Sequence, residues 1–408
     1  MRGASIIWHY ARDLMTRLSN SISFLLLTST MSLPTANIPK AVLYYNQKSV
    51  WSSSALLALE EKGYDEDEVE LRVVDLGKAE NLSMSFLRIN PKGRYNLESM
   101  DTIYRLCKLL EGTVPTLVVP LAKTLAPDDD HRFKAVTDTK SILEFLDKSR
   151  SAISRTHTIS SAPAPALAPA TIVLSLAASQ LIDILHTDDV NPNQLKYYNY
   201  TSQAAFARTA ETLLPFFRGR QEALSSYITS SQNAQIQASE KTRKLWESKK
   251  ADADAFVAVY AAADKDDSTL SPAEKAARDQ FRSIAHDLWN VKLRKAITVL
   301  NKEMMGPFAL GDQISIVDLH LGPWLARIAA LCGGLATDNG DVIISKIESR
   351  IGDRFALPKD FQQIVAPELG ADPFLQITPG AKRVKLAVFW DEMKGRASWM
   401  KVYRDGLH

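Results

Sequence analysis

The sequence is poor in several things that would define a function class. Its 408 residues contain two cysteines, Cys107 and Cys332. Two are too few for a disulfide framework or a thiolate metal site and fit a reducing compartment. The seven histidines are scattered, with neither an HExxH nor a paired spacing, so no metal is assigned. Charge of one sign is also lacking: 49 Lys and Arg stand against 47 Asp and Glu. Such a balance exerts no long-range pull on nucleic acid or an anionic membrane. No apolar run approaches the roughly 20 residues of a membrane span. No P-loop, GxGxxG or GxSxG pattern occurs, which argues against nucleotide binding and esterase chemistry. These absences predict a soluble intracellular protein with no nucleic-acid partner and no integral membrane segment.

What is present falls into two unlike halves. Ala41–Tyr45 is a short apolar, aromatic run suited to a buried strand, and Ser52–Lys62 reads as a helix with Gly63 just past its end. Val69–Leu76 and Thr113–Val119 read as further strands, the latter with Pro115 near its start. Asp138–Leu146 reads as a second helix. The order strand, helix, strand, strand, helix predicts an α/β domain over residues 39–150. Residues 151–170 are rich in Ser, Ala and Pro, the composition of a linker.

From residue 171 to 408 the pattern is helical. Thr171–His186 is apolar all round, which predicts a buried helix. Ser271-Pro272-Ala273-Glu274 is a capping box with proline at the first helical position. Phe281, Ile284, Leu288 and Val291 follow it as one apolar stripe. A second box, Ser315-Ile316-Val317-Asp318, opens another helix, and Asp318 is assigned to capping. Gln232–Ala263 is charged and Ala-rich, which predicts solvent-facing helices. Residues 1–38 read as an extension outside the fold: basic, Ser-containing and acid-poor, either disordered or a mitochondrial presequence, with a cytoplasmic location otherwise.

Four segments resemble the glutathione transferase family. Ser49-Val50-Trp51-Ser52 leads into Leu57-Ala58-Leu59-Glu60-Glu61-Lys62-Gly63, where the family places its active-site Ser, Cys or Tyr. Phe86–Gly93 together with Thr113-Val114-Pro115-Thr116-Leu117 is similar to the family's FLxxNPxGxVPxL. Asp138-Thr139 followed by Ser141–Leu146 looks like its Glu-Ser helix entry, and Gly311–Asp318 like its helix-nucleating segment. The resemblance implies a thioredoxin-like N-terminal domain followed by an all-helical glutathione transferase C-terminal domain. It implies glutathione as co-substrate, a small hydrophobic electrophile and a homodimer.

It also implies roles. Ser49 would donate to the glutathione sulfur and favour the thiolate at a helix start. Thr113, Val114 and Pro115 would present a strand edge to the cysteinyl backbone. Asp138 would accept the γ-glutamyl ammonium, and Thr139 with the helix N-terminus would hold its carboxylate. Plainer readings stand beside these: Ser49 as a loop serine, Ser52, Ser53 or Ser54 as helix caps, and Asp138 as an N-cap. Two departures bear on activity. Arg94–Gly112 interrupts the NPxGxVP segment, and residues 232–271 enlarge the helical domain. A non-catalytic binding or regulatory protein, or a glutathione-dependent isomerase or reductase, are the alternatives; serine at position 49 disfavours the reductase.

Overall fold

A computed structural model describes residues 40–90, 114–120, 133–151, 160, 162–362 and 381–408. The N-terminal extension, Thr113 and the Arg94–Gly112 interruption lie outside these residues. Strand β1 (Ala41–Tyr45) is followed by helix α1 (Val50–Glu61), β2 (Val69–Val73) and the short helix α2 (Met84–Ile89). Then come β3 (Thr116–Pro120), β4 (Phe133–Val136) and α3 (Thr139–Ser149). The sheet order is β2-β1-β3-β4, with β1 parallel to β2 and antiparallel to β3, and β3 antiparallel to β4. This is the thioredoxin-like βαβ–ββα arrangement.

β4 and α2 are not among the elements expected from sequence. β4 is only FKAV, with Phe133 and Lys134 exposed, so pairing with β3 and not an apolar pattern makes it a strand. The strand expected from Thr113 begins at Thr116. Beyond α1, Gly63 adopts φ +65°, where a Cβ would come within 2.6 Å of the Ala162 side chain. That close approach belongs to a fastening of residues 160 and 162–168. Lys62, fully buried, donates to Asp147 (2.8 Å) and to the Pro165 carbonyl (2.6 Å). Asp147 also accepts from the Leu167 and Ala168 amides, while Arg150 donates to the carbonyls of Ser160 and Ala162.

The helical region runs through α4 (Ile172–Leu185), α5 (Pro192–Tyr197), α6 (Gln203–Gln232), α7 (Glu240–Ala261) and α8 (Pro272–His286). A π-turn (Asp287–Lys292) leads into α9 (Leu293–Glu303); α10 (Ile316–Leu331), α11 (Gly340–Ile351), α12 (Lys385–Lys394) and α13 (Ala397–Val402) follow. Helix α10 is the central one, buried on every face from Ile316 to Ala329 and packed on α1 and α4. Both expected capping boxes form, at Ser271/Glu274 and Ser315/Asp318. Among the described residues no helix is long and apolar enough to cross a membrane.

Three expectations fail for physical reasons. Helix α4 is buried only along Ala178, Leu181, Ile182 and Leu185, while Ile172, Val173 and Leu176 are exposed. The Phe281–Leu288 stripe does not extend to Val291, which is 53% exposed, because the π-turn adds a residue and rotates the following side chains by about 100°. The Gln232–Ala263 region is not simply solvent-facing. Helices α6 and α7 form a hairpin around Phe206, Phe217, Phe256 and Tyr260, and a second cluster joins Leu224, Leu245 and Trp246 to Leu82 and Leu87. The hairpin thereby rests on the sheet domain: Trp246 Nε1 donates to the Leu82 carbonyl (2.9 Å) and Arg220 Nη1 to that of Leu76 (2.6 Å). Gly219 permits the approach, since a Cβ there would lie 2.9 Å from the Gly77 oxygen.

Candidate functional site

Register brings the expected residues to one end of the sheet. β1 ends at Tyr45 and leads into Ser49. β3 is antiparallel with Thr116 opposite Tyr44, so Val114-Pro115 lies at that end. β4 finishes there too, with Val136 opposite Leu117, and delivers Asp138 and the start of α3. Two helix N-termini and a strand entry therefore meet, a combination that favours an anionic, peptide-like ligand.

Ser49 is the N-cap of α1: its Oγ accepts from the Ser52 amide (3.3 Å), and its carbonyl accepts from Ser53 N and Oγ. Capping uses Oγ only as an acceptor, leaving the O–H available to a ligand. Ser52 Oγ accepts from the Asn46 amide, and Ser54 Oγ donates to the Val50 carbonyl, so both are occupied inside the fold. The Val114–Pro115 peptide is cis. The Val114 side chain is buried against Val74 and Phe86, and neither its N–H nor its C=O has a partner among the described residues.

Asp138 caps α3, its Oδ2 accepting from the amide and hydroxyl of Ser141, both at 3.0 Å. Oδ1 has no partner among the described residues and remains the atom with which the carboxylate can meet an ammonium. Thr139 is buried at the first turn. Both the binding and the capping readings thus fall on the same residues.

Several neighbours have no counterpart in the sequence reading. Trp51, in the first turn of α1, stacks on His186 at 4.0 Å between centroids, and His186 Nε2 lies 3.0 Å from His320 Nδ1 on α10. Burial, with a smaller contribution from Lys140, pushes His186 down to about 4; burial also holds His320 well below its ordinary value. At the other side of Ser49, Arg327 of α10 donates to the Lys48 carbonyl (2.7 Å), and His408 Nε2 lies 3.0 Å from Ser53 Oγ. A signal for Arg327 was present: it is the lone arginine in IVDLHLGPWLARIAAL, a run apolar enough to be buried all round. Lys196 and His408 are joined to it only by the fold. A groove of about 420 Å³ between Cys332 and Arg350 contains none of Ser49, Val114, Asp138 or Thr139. Cys107 lies outside the described residues, and burial pushes the Cys332 thiol up to about 12, far from a reactive thiolate.

Residues 48–149 match the family described as glutathione S-transferase, N-terminal domain. Solved structures with a similar chain course include glutathione transferase F7 from Populus trichocarpa, at 13% identity and TM-score 0.41, covering 89% of this chain and 98% of that one. Glutathione transferase Omega 3C from Trametes versicolor aligns at 14% identity and TM-score 0.38, covering 89% and 84%. Maleylacetoacetate isomerase from Anaeromyxobacter dehalogenans, solved with bound GSH, aligns at 14% and 0.38, covering 90% and 95%. No curated protein matches the sequence.

Proposed function

Because residues 48–149 match the glutathione S-transferase N-terminal domain family, we propose that this chain binds glutathione at the Ser49 end of its sheet and transfers its thiolate to an electrophile. The observation that carries the reading is the Val114 backbone, unpaired among the described residues and set by register at the same end as the N-termini of α1 and α3. A free thiol has a pKa of about 8.5, and only the thiolate attacks. The Ser49 O–H donates to the sulfur and the α1 dipole adds to its effect, both favouring the charged form. Val114 pairs with the cysteinyl backbone. Asp138 Oδ1 takes the γ-glutamyl ammonium while Oδ2 keeps its cap, and Thr139 with the α3 amides holds the adjoining carboxylate. The homodimer and the cytoplasmic location belong to the same reading.

One observation favours a non-catalytic binding protein on this fold: the side chains of Ser49 and Asp138 both serve as helix caps, which gives them a structural role without any ligand. Two substitutions separate the readings. Asp138→Asn retains a capping oxygen but loses the charge. It should weaken glutathione about tenfold by calorimetry with melting unchanged. Ser49→Ala should raise the apparent pKa of bound thiol and lower conjugation of a chromogenic electrophile about tenfold near neutrality. No binding of glutathione to the wild-type protein at millimolar concentration would sink the proposal.

A further inference from the structure

Basic groups gather where the N-terminus of α1 meets the C-terminal half of α10 and the short helix α5. Arg327 is 2% exposed; Nη2 is used on the Lys48 carbonyl, whereas Nη1 is buried with no partner. Lys196 of α5 is near enough to feel both Arg327 and Lys48, and it makes no ion pair or hydrogen bond among the described residues. His408 lies within electrostatic range of the same three groups, and its ring sits on Ser53. The other titratable groups around Arg327 are the phenols of Tyr197 and Tyr403, and the Tyr403 hydroxyl lies against Ser53. Asp405 is engaged elsewhere, with Gln47 and Arg404.

Holding a carbonyl at a helix start needs one neutral donor, not a desolvated guanidinium beside an ammonium. Uncompensated buried charges are costly, and two of like sign are costlier still. The arrangement is explained if an anion belongs there. Resting on the glutathione-transfer reading, we propose that Arg327 and Lys196 form a carboxylate subsite for the second substrate, which makes the electrophile an organic acid and not a plain hydrophobic molecule. The orphan Nη1 and the Lys196 ammonium supply two charge-assisted donors. The α1 dipole adds positive potential from the same side. His320, beside the Asp138 end, and Arg327 are seven residues apart on α10, about 10 Å of helix rise. The two ends of the site thus differ in charge as the two ligands would.

Benzoate and its uncharged analogue benzamide, titrated into the full chain with and without saturating glutathione, test the assignment. Benzoate should bind with and without glutathione, and benzamide at least tenfold more weakly. Arg327→Met and Lys196→Met should each reduce benzoate affinity about tenfold or more, and Arg327→Lys should restore part of it, with glutathione affinity unchanged. Thermal melts establish that each variant is folded, and Lys196→Met carries the test if Arg327→Met is not. Equal binding of benzoate and benzamide, or benzoate affinity unaffected in either folded Met variant, would overturn the subsite. So would glutathione displacing benzoate while Arg327→Met weakens glutathione, since the group held would then be the tripeptide's own carboxylate. Arg327-dependent benzoate binding in a protein that does not bind glutathione would support the anion subsite and sink only the transfer reading.

Discussion

Helix α10 carries two buried bases seven residues apart, and the fold treats them oppositely. His320 is fully buried, bonded to His186 and left with one unpartnered nitrogen. Arg327 is just as buried and also keeps one unpartnered nitrogen. An imidazole answers burial by releasing its proton, and the cost that remains is one missing hydrogen bond. A guanidinium does not deprotonate in a protein, so its charge stays and needs an acceptor. The same degree of burial therefore makes a quiet neutral contact at the Asp138 end and an electrostatic demand at the Lys48 end.

A third buried polar group on α10 shows what full satisfaction looks like, and breaking it should give the largest effect. Asp318 accepts from the Ala309 amide (2.7 Å), the Ser315 amide (2.6 Å) and the Ser315 hydroxyl (2.7 Å). Burial still pushes its carboxyl up to about 6. Asp318→Ala would orphan three donors at the start of the central helix, and we expect a loss of about 3–5 kcal/mol in chemical denaturation. A loss below about 1 kcal/mol would mean that α10 tolerates unpaired polar groups, and the contrast between His320 and Arg327 would lose its meaning.

Asp318 was legible because a capping box is a local pattern, and so were most features decided within one turn or one strand. Ala41–Tyr45 forms the expected strand, Thr171 and His186 end the expected helix as its caps, and the Val114-Pro115 and Asp138-Thr139 segments fall at the same sheet end. What escaped was decided between elements. The core of the α6–α7 hairpin draws on Phe206, Phe217, Phe256 and Tyr260, too widely spaced among charged and alanine residues to stand out. The π-turn is a change of phase that no composition marks, so Val291 was placed on the wrong face. Lys196, Arg327 and His408 come from three distant segments, and only the fold makes them one cluster.

The neutral end can be tested by acid. His186 has its pKa lowered to about 4 by burial, with Lys140 adding to the shift and Asp138 and Asp183 opposing it. Between pH 6.5 and about 4 the unfolded chain binds the extra proton, so this group's contribution to stability is present above 6.5 and is lost as the pH falls. Allowing for partial exposure, the loss should be about 1–3 kcal/mol. His186→Phe preserves a ring against Trp51 and should flatten that part of the stability–pH curve. Parallel curves for the two proteins would show that His186 takes up its proton as readily folded as unfolded, and that the two ends of α10 do not differ as described.

The charged end should give the smallest change and the least usual sign. Lys196 is lowered to about 7, first by burial and then by Arg327 and Lys48. Its folded value lies below the ordinary 10.5, so from about 7 to 10.5 the unfolded chain holds more protons and the wild-type protein gains stability as the pH rises. Removing a lysine usually costs stability or does nothing. Here Lys196→Met removes an ammonium that is desolvated and repelled while keeping most of the packing volume. At pH 7 the variant should be as stable as wild type or more stable by up to about 1 kcal/mol, and at pH 9.5 that advantage should vanish. Denaturant titrations of both proteins at the two pH values, without carboxylates in the buffer, read the difference. A variant clearly weaker than wild type at pH 7 would reveal an acidic partner for Lys196, and would remove the uncompensated charge that distinguishes this end of the helix from the other.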